Sequence, residues 1–235
     1  MPELLSEVPD RALAVYAHPA DAEVACGGTL ARWAAAGCEV SLLVCTRGDK
    51  GSHDPAADPA TVAAARADEV EAAATALGAA RHEVLGHLDG EIENTAELRA
   101  TLVSRIRTWR PDVVLGHDPT AVFFGDGYVN HRDHRVVGFA LLDSVSPASA
   151  SPLYFPDAGP PHRVGALLLS GTLEADCYVD ISTSLAAKAA ALRCHASQLA
   201  GAQDWVDDLV QGRAHEAGHE AGIDAAEAFR RITSH

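Results

Sequence analysis

Short apolar segments alternate with longer alanine-rich segments along the first half of this chain, and this alternation limits the folds open to it. Apolar runs cover residues 11–17, 39–45, 82–85 and 112–115, and helix-like segments cover residues 30–37, 61–77 and 95–109. Short apolar runs are typical of buried parallel strands, and the segments between them have the length of helices. Strand–helix–strand units at this spacing predict a parallel sheet with right-handed crossovers. We therefore predict a single α/β domain over residues 1–235, with a mostly parallel, Rossmann-like sheet flanked by helices.

The second half of the chain continues this pattern less regularly. We expect a helix that begins near Asp133, strands over residues 164–169 and 178–181, and a helix over residues 185–198. Glycines make residues 211–222 a poor helix, so we expect a loop there, followed by a short terminal helix. The two histidines of AHEAGHEAG in this segment lack the HExxH order, and we interpret them as loop residues rather than a second metal site.

Composition narrows the class of partner and the compartment. The 235 residues carry 18 Lys+Arg against 33 Asp+Glu, a net charge of −15. Because nucleic-acid binding needs a concentrated basic surface, we expect no nucleic-acid partner. No apolar run approaches the roughly 18 residues of a membrane span, and no secretory leader pattern is evident, so we expect no membrane span and a cytoplasmic location. Five scattered cysteines without a CxxC pair form neither a disulfide framework nor a zinc–thiolate site.

Polar segments follow the predicted strands, at the edge where parallel sheets bind their ligands. These segments are residues 18–23, 46–52 and 116–134, and ligands of such sheets bind beyond the carboxyl ends of the strands. In the first segment, His18 and Asp21 can meet on one ion as nitrogen and oxygen ligands of the kind that zinc accepts. A surface turn in which Asp21 caps the next helix is the alternative for this segment taken alone.

The sequence HRDH supplies further candidate ligands. His131 and His134 are three residues apart, which puts both on one side of a helical turn. Asp133 between them can orient His131 or a ligand, as carboxylates behind metal ligands do. A solvated helix start explains HRDH taken alone. Together the two segments offer His18, Asp21 and His134 as three metal ligands, and three protein ligands are typical of a catalytic zinc site rather than a structural one.

The order of these motifs resembles that of the PIG-L/LmbE-like zinc deacetylases. The chain reads AHPADAEVACGGT, then TRGD after the second strand and RADEVEAAATALG on the next helix, and later GHDP, HRDH, KAAALRCHASQ and AEAFRR. Each motif alone is modest in specificity, but the set spans almost the whole chain in the family's order. The resemblance implies zinc-dependent removal of an acetyl group from an N-acetylated amino sugar of the N-acetylglucosamine type.

The resemblance also implies roles for individual residues at the metal. His18, Asp21 and His134 match the family's zinc ligands, and the same ligand set also suits Fe²⁺ or Co²⁺. His131 matches the histidine that stabilises the oxyanion or protonates the leaving amine, with Asp133 as its partner.

Two further matches concern the substrate, which we expect to be a small-molecule amino sugar. Arg47 in TRGD matches an arginine at the substrate-binding rim, and Asp118 in GHDP lies in the loop placed near the sugar. The group attached to the sugar would be recognised by rim loops, for which we take residues 120–130 and 151–161. An amidase of thiol-sugar conjugates and a catalytically dead zinc protein that binds a sugar ligand are the alternative functions. A homo-oligomer is compatible with the sequence.

One departure from the family's motif falls on the catalytic machinery. The family has two adjacent aspartates after His-Pro, and the first of them is the general base; here that position is Ala20. Because a methyl group cannot accept a proton and a general base contributes about 10²–10⁴-fold in rate, we expect a low-activity chain. We favour an engineered substitution, since the rest of the site is intact. A natural pseudo-enzyme and an enzyme with its base relocated to Glu23 or Asp118 are the alternatives.

Overall fold

A computed structural model describes residues 3–199 and 203–233 of the chain, and strands and helices alternate along much of this part. The strands are β1 (Glu3–Leu4), β2 (Arg11–Tyr16), β3 (Glu39–Thr46), β4 (Arg81–His87), β5 (Val113–His117), β6 (Phe123–Phe124), β7 (Tyr128–Val129), β8 (Ala166–Ser170), β9 (Cys177–Asp180) and β10 (Ala226–Thr233). The helices are α1 (Asp21–Ala35), α2 (Pro59–Leu77), α3 (Ala96–Trp109), α4 (Arg132–Asp143), α5 (Leu185–Arg193), α6 (Ala196–Leu199) and α7 (Gln203–Ala221).

Eight of the described strands form one sheet in the order β1-β9-β10-β8-β5-β2-β3-β4, and β6 pairs with β7 in a separate hairpin. Every pairing in the large sheet is parallel except the two that β10 makes with β8 and β9. The predicted α/β fold with a mostly parallel sheet flanked by helices is confirmed.

The central strand β2 shows why both faces of the sheet are covered. Ala12, Ala14 and Tyr16 pack into one apolar layer, which also contains the buried side chains of α1 and α2. Leu13 and Val15 point to the opposite layer, which α3 and α4 complete. Successive side chains of a strand alternate between faces, so a strand buried on both sides has to be apolar throughout. This is why RALAVY could be recognised as a strand from sequence alone.

The C-terminal region differs from the prediction. Residues 211–222 lie largely within α7, and the expected terminal helix is instead β10, inserted antiparallel between β8 and β9. Gly218 has a packing reason to be in this helix, since a Cβ there would lie 2.7 Å from the Ile223 carbonyl oxygen. The loop prediction was wrong because close backbone packing overrides the low helix propensity of glycine.

Two helix boundaries near the candidate site also differ from the prediction. The helix expected to begin near Asp133 begins at Arg132, and His131 is its N-cap, accepting a hydrogen bond at Nδ1 from the Asp133 backbone N–H over 3.2 Å. The helix expected over residues 185–198 is interrupted after Arg193, and the short helix α6 follows it.

Helix α1 contains a break that a buried ion pair caps from both sides. Cys26 has non-helical backbone angles (φ −145°) inside the helix. Lys188 Nζ donates to the Val24 carbonyl oxygen over 2.9 Å, and the Glu227 carboxylate accepts from the backbone N–H groups of Gly28 and Thr29 over 2.9 and 2.7 Å. Lys188 and Glu227 contact each other at 2.5 Å. A cation thus lies at the carboxyl end of one helical piece and an anion at the amino end of the next, as the helix dipole favours.

A second buried cation organises the loop after α4. The guanidinium of Arg107 donates hydrogen bonds to backbone carbonyl oxygens of Ala148, Ser149, Ser151, Tyr154, Phe155 and Gly159. Arg107 lies in the last part of α3, at the amino edge of the sheet. The segment 151–161, which we expected at the rim of the ligand site, therefore lies at the opposite edge, because α4 has already run back across the sheet.

Within the described residues, no helix combines the length and the apolar character that crossing a membrane requires.

Candidate metal centre and cleft

The candidate site lies where the chain order in the sheet reverses. From the central strand β2 the chain adds β3 and β4 on one side, and β5 then pairs on the other side of β2. The carboxyl ends of β2 and β5 are therefore adjacent while their following loops diverge, which opens a crevice at this point. His18 follows β2, His117 ends β5, and α4 brings His131 and His134 to the same place.

Three predicted ligand atoms converge in this crevice. His18 Nδ1 lies 3.1 Å from Asp21 Oδ2 and 3.2 Å from His134 Nε2, and His134 Nε2 lies 3.2 Å from Asp21 Oδ2. The His18 backbone N–H donates to the same Asp21 oxygen over 2.7 Å, which fixes the carboxylate against the turn. The structure brings the three side chains together as the sequence analysis expected.

Each histidine in this triangle is oriented through its other ring nitrogen. His134 Nδ1 lies 3.2 Å from Asn130 Oδ1, and since an amide oxygen only accepts, Nδ1 carries the hydrogen and Nε2 keeps a free lone pair. His18 Nε2 lies 3.2 Å from Asp89 Oδ1 and 3.4 Å from Asp133 Oδ2. A carboxylate behind a ligating histidine fixes its tautomer and ring orientation. Asp89 was not predicted, since only the folded chain brings residue 89 beside residue 18, and Asn130 was predicted only as part of the rim segment 120–130.

The ionisable groups of the cluster shift one another's pKa values. Burial lowers the pKa of His18, but contacts with Asp21 and then Asp89 outweigh it and raise that pKa to about 10. Burial opposes ionisation of Asp21, yet the neighbouring histidines, His134 first, hold its pKa well below the usual range. The metal-free cluster therefore holds a proton on His18 next to an ionised Asp21.

His117 is a further site residue that the sequence analysis missed. Its Nε2 lies 3.3 Å from Asp21 Oδ2, but it also accepts a hydrogen bond from the Ala17 backbone N–H over 3.1 Å. The one lone pair of this nitrogen is thereby used. Its ring stacks on His134 with 4.0 Å between centroids, and burial lowers its pKa to about 4. We interpret His117 as a neutral support for His134 rather than a ligand; the GHDP motif was the available signal.

His131 faces the cleft as a hydrogen-bond donor. Its Nδ1 accepts the Asp133 N–H, so Nε2 carries the hydrogen of the neutral ring. Burial first, and the charge of His18 second, lower the pKa of His131. The expected partnership with Asp133 needs correction, because its contact with His131 runs through the backbone. The Asp133 carboxylate instead accepts from the Gly90 N–H over 2.6 Å and lies beside His18.

Ala20 lines the cleft next to these groups and has an unusual backbone. Its φ is 81° and its ψ −15°, in the left-handed region. Residues other than glycine adopt this region rarely, and aspartate and asparagine tolerate it better than alanine does. The backbone at position 20 therefore suits an aspartate at least as well as the alanine present.

The two carboxylates considered as relocated bases lie away from the cleft wall. Glu23 is 2% exposed, with Oε2 3.5 Å from His195 Nε2. Asp118 is 1% exposed, and its Oδ1 accepts from the backbone N–H and the hydroxyl of Thr120 over 2.9 and 2.6 Å. Both side chains are buried and neither lines the cleft, so the geometry disfavours a base at either position.

Arg47, predicted at the substrate-binding rim, and Asp118, predicted near the sugar, are not among the residues that line the cleft. Arg47 Nη2 lies 3.4 Å from Asp49 Oδ2, and Asp118 forms the internal turn just described. The cleft that His131 and Ala20 line has a volume of about 1040 Å³. Its wall also includes Arg66, Asp89, Phe124, Tyr128 and Gln198. Phe124 and Tyr128 come from the β6–β7 hairpin, so of the two rim loops the segment 120–130 does reach the cleft.

Three convergent donor atoms at the switch point of a parallel sheet define an α/β protein with a candidate mononuclear metal centre. More particularly, the chain belongs to the PIG-L family: residues 13–145 match the family described as GlcNAc-PI de-N-acetylase.

Relatives and a solved structure agree with this assignment. The chain is 32% identical to diacetylchitobiose deacetylase of Thermococcus kodakarensis over 80% of its length and 70% of the relative's. It is 34% identical to 1D-myo-inositol 2-acetamido-2-deoxy-alpha-D-glucopyranoside deacetylase of Rhodococcus jostii over 67% of its length and 60% of the relative's. The structure superposes with a TM-score of 0.87 on N,N'-diacetylchitobiose deacetylase from Pyrococcus horikoshii, at 27% identity, covering 96% of this chain and 84% of the other.

Proposed function

We propose that this protein is a metal-dependent hydrolase that removes the acetyl group from an N-acetylated amino sugar. The observation that carries the proposal is the triangle of His18 Nδ1, Asp21 Oδ2 and His134 Nε2, with sides of 3.1–3.2 Å. Donor atoms bound to tetrahedral zinc at about 2.0–2.2 Å lie about 3.3–3.6 Å apart, so the donor set fits a zinc-sized ion with little movement. Fe²⁺ or Co²⁺ suits the same donors.

The bound ion would polarise the amide carbonyl and lower the pKa of water near it. The chain's own residues would do the rest. His131 Nε2–H faces the cleft, where it would donate a hydrogen bond to the developing oxyanion. The proton for the leaving amine would come from the base at position 20, which takes it from the attacking water. Arg66 and Asp89 line the same wall and offer a donor and an acceptor to sugar hydroxyls. Asp133, held by the Gly90 N–H, would keep His18 oriented.

Position 20 is where the proton of the attacking water would be accepted. Ala20 cannot accept it, so we propose that the chain as it stands turns over slowly and that an aspartate belongs at this position. We continue to favour an engineered substitution over a natural pseudo-enzyme. The left-handed backbone at residue 20 supports the proposal that an aspartate belongs there, because it accommodates aspartate without rearrangement.

The substrate we propose is a small molecule of the N-acetylglucosamine type. The names of the relatives support it, since they describe deacetylases of diacetylchitobiose and of an inositol-linked N-acetylated sugar. An amidase of thiol-sugar conjugates and an inactive zinc protein that binds a sugar remain the alternatives. We also propose a cytoplasmic location and leave a homo-oligomer open.

The substitution Ala20→Asp tests the proposal, with Ala20→Asn as the matched control. Both side chains suit the left-handed backbone and have similar size, but only aspartate is a base. We expect Ala20→Asp to raise acetate release from diacetylchitobiose by about 10²–10⁴-fold over the parent chain, and Ala20→Asn to stay near the parent. Added chelator should abolish the gain, and Zn²⁺ should restore it.

Other outcomes select the alternatives. If Ala20→Asp releases a carboxylic acid only from the amide of thiol-sugar conjugates, the protein is an amidase of those conjugates. Sugar binding without hydrolysis of any amide by Ala20→Asp would favour the binding protein. If the purified chain takes up no divalent metal and His18→Ala changes nothing, the proposed site is wrong.

A further inference from the structure

The turn that carries His18 and Ala20 is held by a contact from a distant part of the chain. Gln198 Nε2 on α6 donates a hydrogen bond to the Pro19 carbonyl oxygen over 3.1 Å. This carbonyl belongs to the peptide that leads into Ala20, and Gln198 itself lines the cleft. The contact therefore restrains the backbone between the candidate metal ligands His18 and Asp21. Gln198 lies 179 positions from Pro19 in the sequence.

The backbone at this turn needs external support. The left-handed conformation of Ala20, with φ 81°, costs a residue with a Cβ about 1–2 kcal/mol. Such strained conformations persist only where the surroundings hold them. The bonds between backbone groups within the turn are local, from Asp21 N to the His18 carbonyl oxygen (3.2 Å) and from Val24 N to the Ala20 carbonyl oxygen (3.0 Å), and the long-range contacts of His18 and Asp21 run through their side chains. The bond from Gln198 ties the turn to another element.

The segment that carries Gln198 is itself fixed at two points. The Ser197 backbone N–H and hydroxyl donate to the Glu69 carboxylate of α2 over 2.6 and 2.8 Å. His195 is completely buried, with its ring against Glu23 in the first turn of α1. Gln198 is thus presented from a support that is anchored to both α2 and α1.

We propose that Gln198 is a positioning residue for the turn from His18 to Asp21. By holding the Pro19 carbonyl it keeps the left-handed residue 20 in place, which sets the approach of the two ligand atoms and the direction of the side chain at position 20. It touches neither ligand and acts through the backbone. The inference rests on the proposed function only in taking His18 and Asp21 as metal ligands.

The test compares Gln198→Met with Ser197→Ala in the chain as it exists. Methionine keeps the length of the side chain but cannot donate, whereas Ser197→Ala removes one contact of the same segment without touching the turn. Zn²⁺ affinity is measured by competition with a chromophoric chelator, and amide hydrogen exchange is followed in peptides covering residues 18–24. We expect Gln198→Met to weaken Zn²⁺ binding about tenfold, the size of effect seen for groups that orient ligands. Exchange within residues 18–24 should become faster. Ser197→Ala keeps the backbone N–H bond to Glu69 and should change neither quantity by more than twofold.

Two results would overturn the inference. One is Zn²⁺ affinity in Gln198→Met within twofold of the parent, with Gln198→Leu as a second variant giving the same answer. The other is an equal loss in Ser197→Ala, which would indicate a general packing role for α6. If the parent chain itself fails to bind Zn²⁺, the proposed function fails and the inference falls with it.

Discussion

The Lys188–Glu227 pair leads to a quantitative stability prediction, because it is buried and caps both sides of the break in α1. Lys188→Met keeps most of the side-chain volume and removes the charge. The Val24 carbonyl then loses its donor, and Glu227 keeps its two backbone donors but loses its counter-charge. Removing one partner of a buried ion pair costs about 3–5 kcal/mol. Because the carboxylate stays partly satisfied, we expect a loss near the lower end, about 3 kcal/mol of unfolding free energy.

Urea unfolding of the metal-free chain, followed by circular dichroism, measures this loss. Arg230→Met is the control, since Arg230 and Glu174 make a single ion-pair contact with side chains 33% and 68% exposed; pairs of this kind contribute about 1 kcal/mol or less. In Lys188→Met/Glu227→Gln the two losses should be non-additive by at least about 1.5 kcal/mol, because the partners are in contact. A loss below about 1 kcal/mol in Lys188→Met, with an unchanged denaturant slope, would refute the reasoning.

Two further predictions concern metal uptake and the loop after α4. The pKa of His18 is about 10 in the metal-free chain, so a proton competes with the metal below that pH. Zn²⁺ affinity should therefore rise by up to about tenfold per pH unit from pH 6 to 9. A Zn²⁺ affinity that does not change over this pH range would contradict the prediction. Arg107→Met leaves the six carbonyl groups that Arg107 binds within residues 148–159 without their shared donor. We expect the free energy of unfolding to fall by about 3 kcal/mol or more and proteolysis within this loop to become faster. An unchanged cleavage rate would argue against the role of Arg107.

The features that could be predicted from the sequence are those that depend on local residue patterns and motifs. Strand β2 could be assigned because it is a continuous apolar run of strand length, and helix α3 because its apolar residues repeat with the period of a helix. His18, Asp21 and His134 could be grouped because parallel strands place the following loops at one edge, and because their motifs resemble those of a known family. These predictions needed no knowledge of which distant residues touch.

What the sequence did not predict depends on tertiary contacts. His117 supports His134 only because β5 lies beside β2, and Asp89 reaches His18 only across the crevice. The glycines within residues 211–222 lower helix propensity and so predict a loop there, while the reason for Gly218 is a backbone approach from Ile223. The orientation of the Asp133 carboxylate towards His18 could not be read from HRDH, since the motif alone leaves open whether Asp133 orients His131 or a metal ligand.

The position of β10 has a consequence for synthesis of the protein. The strand enters the sheet between β8 and β9, and its second residue, Glu227, caps the broken helix that begins with Asp21. A ribosome-bound chain has therefore made the motif AHPADAE some two hundred residues before the group that completes its helix emerges. Until then α1 lacks a cap and the edges of β8 and β9 lack their partner, so a product that stops before residue 226 would expose both to chaperones and proteases.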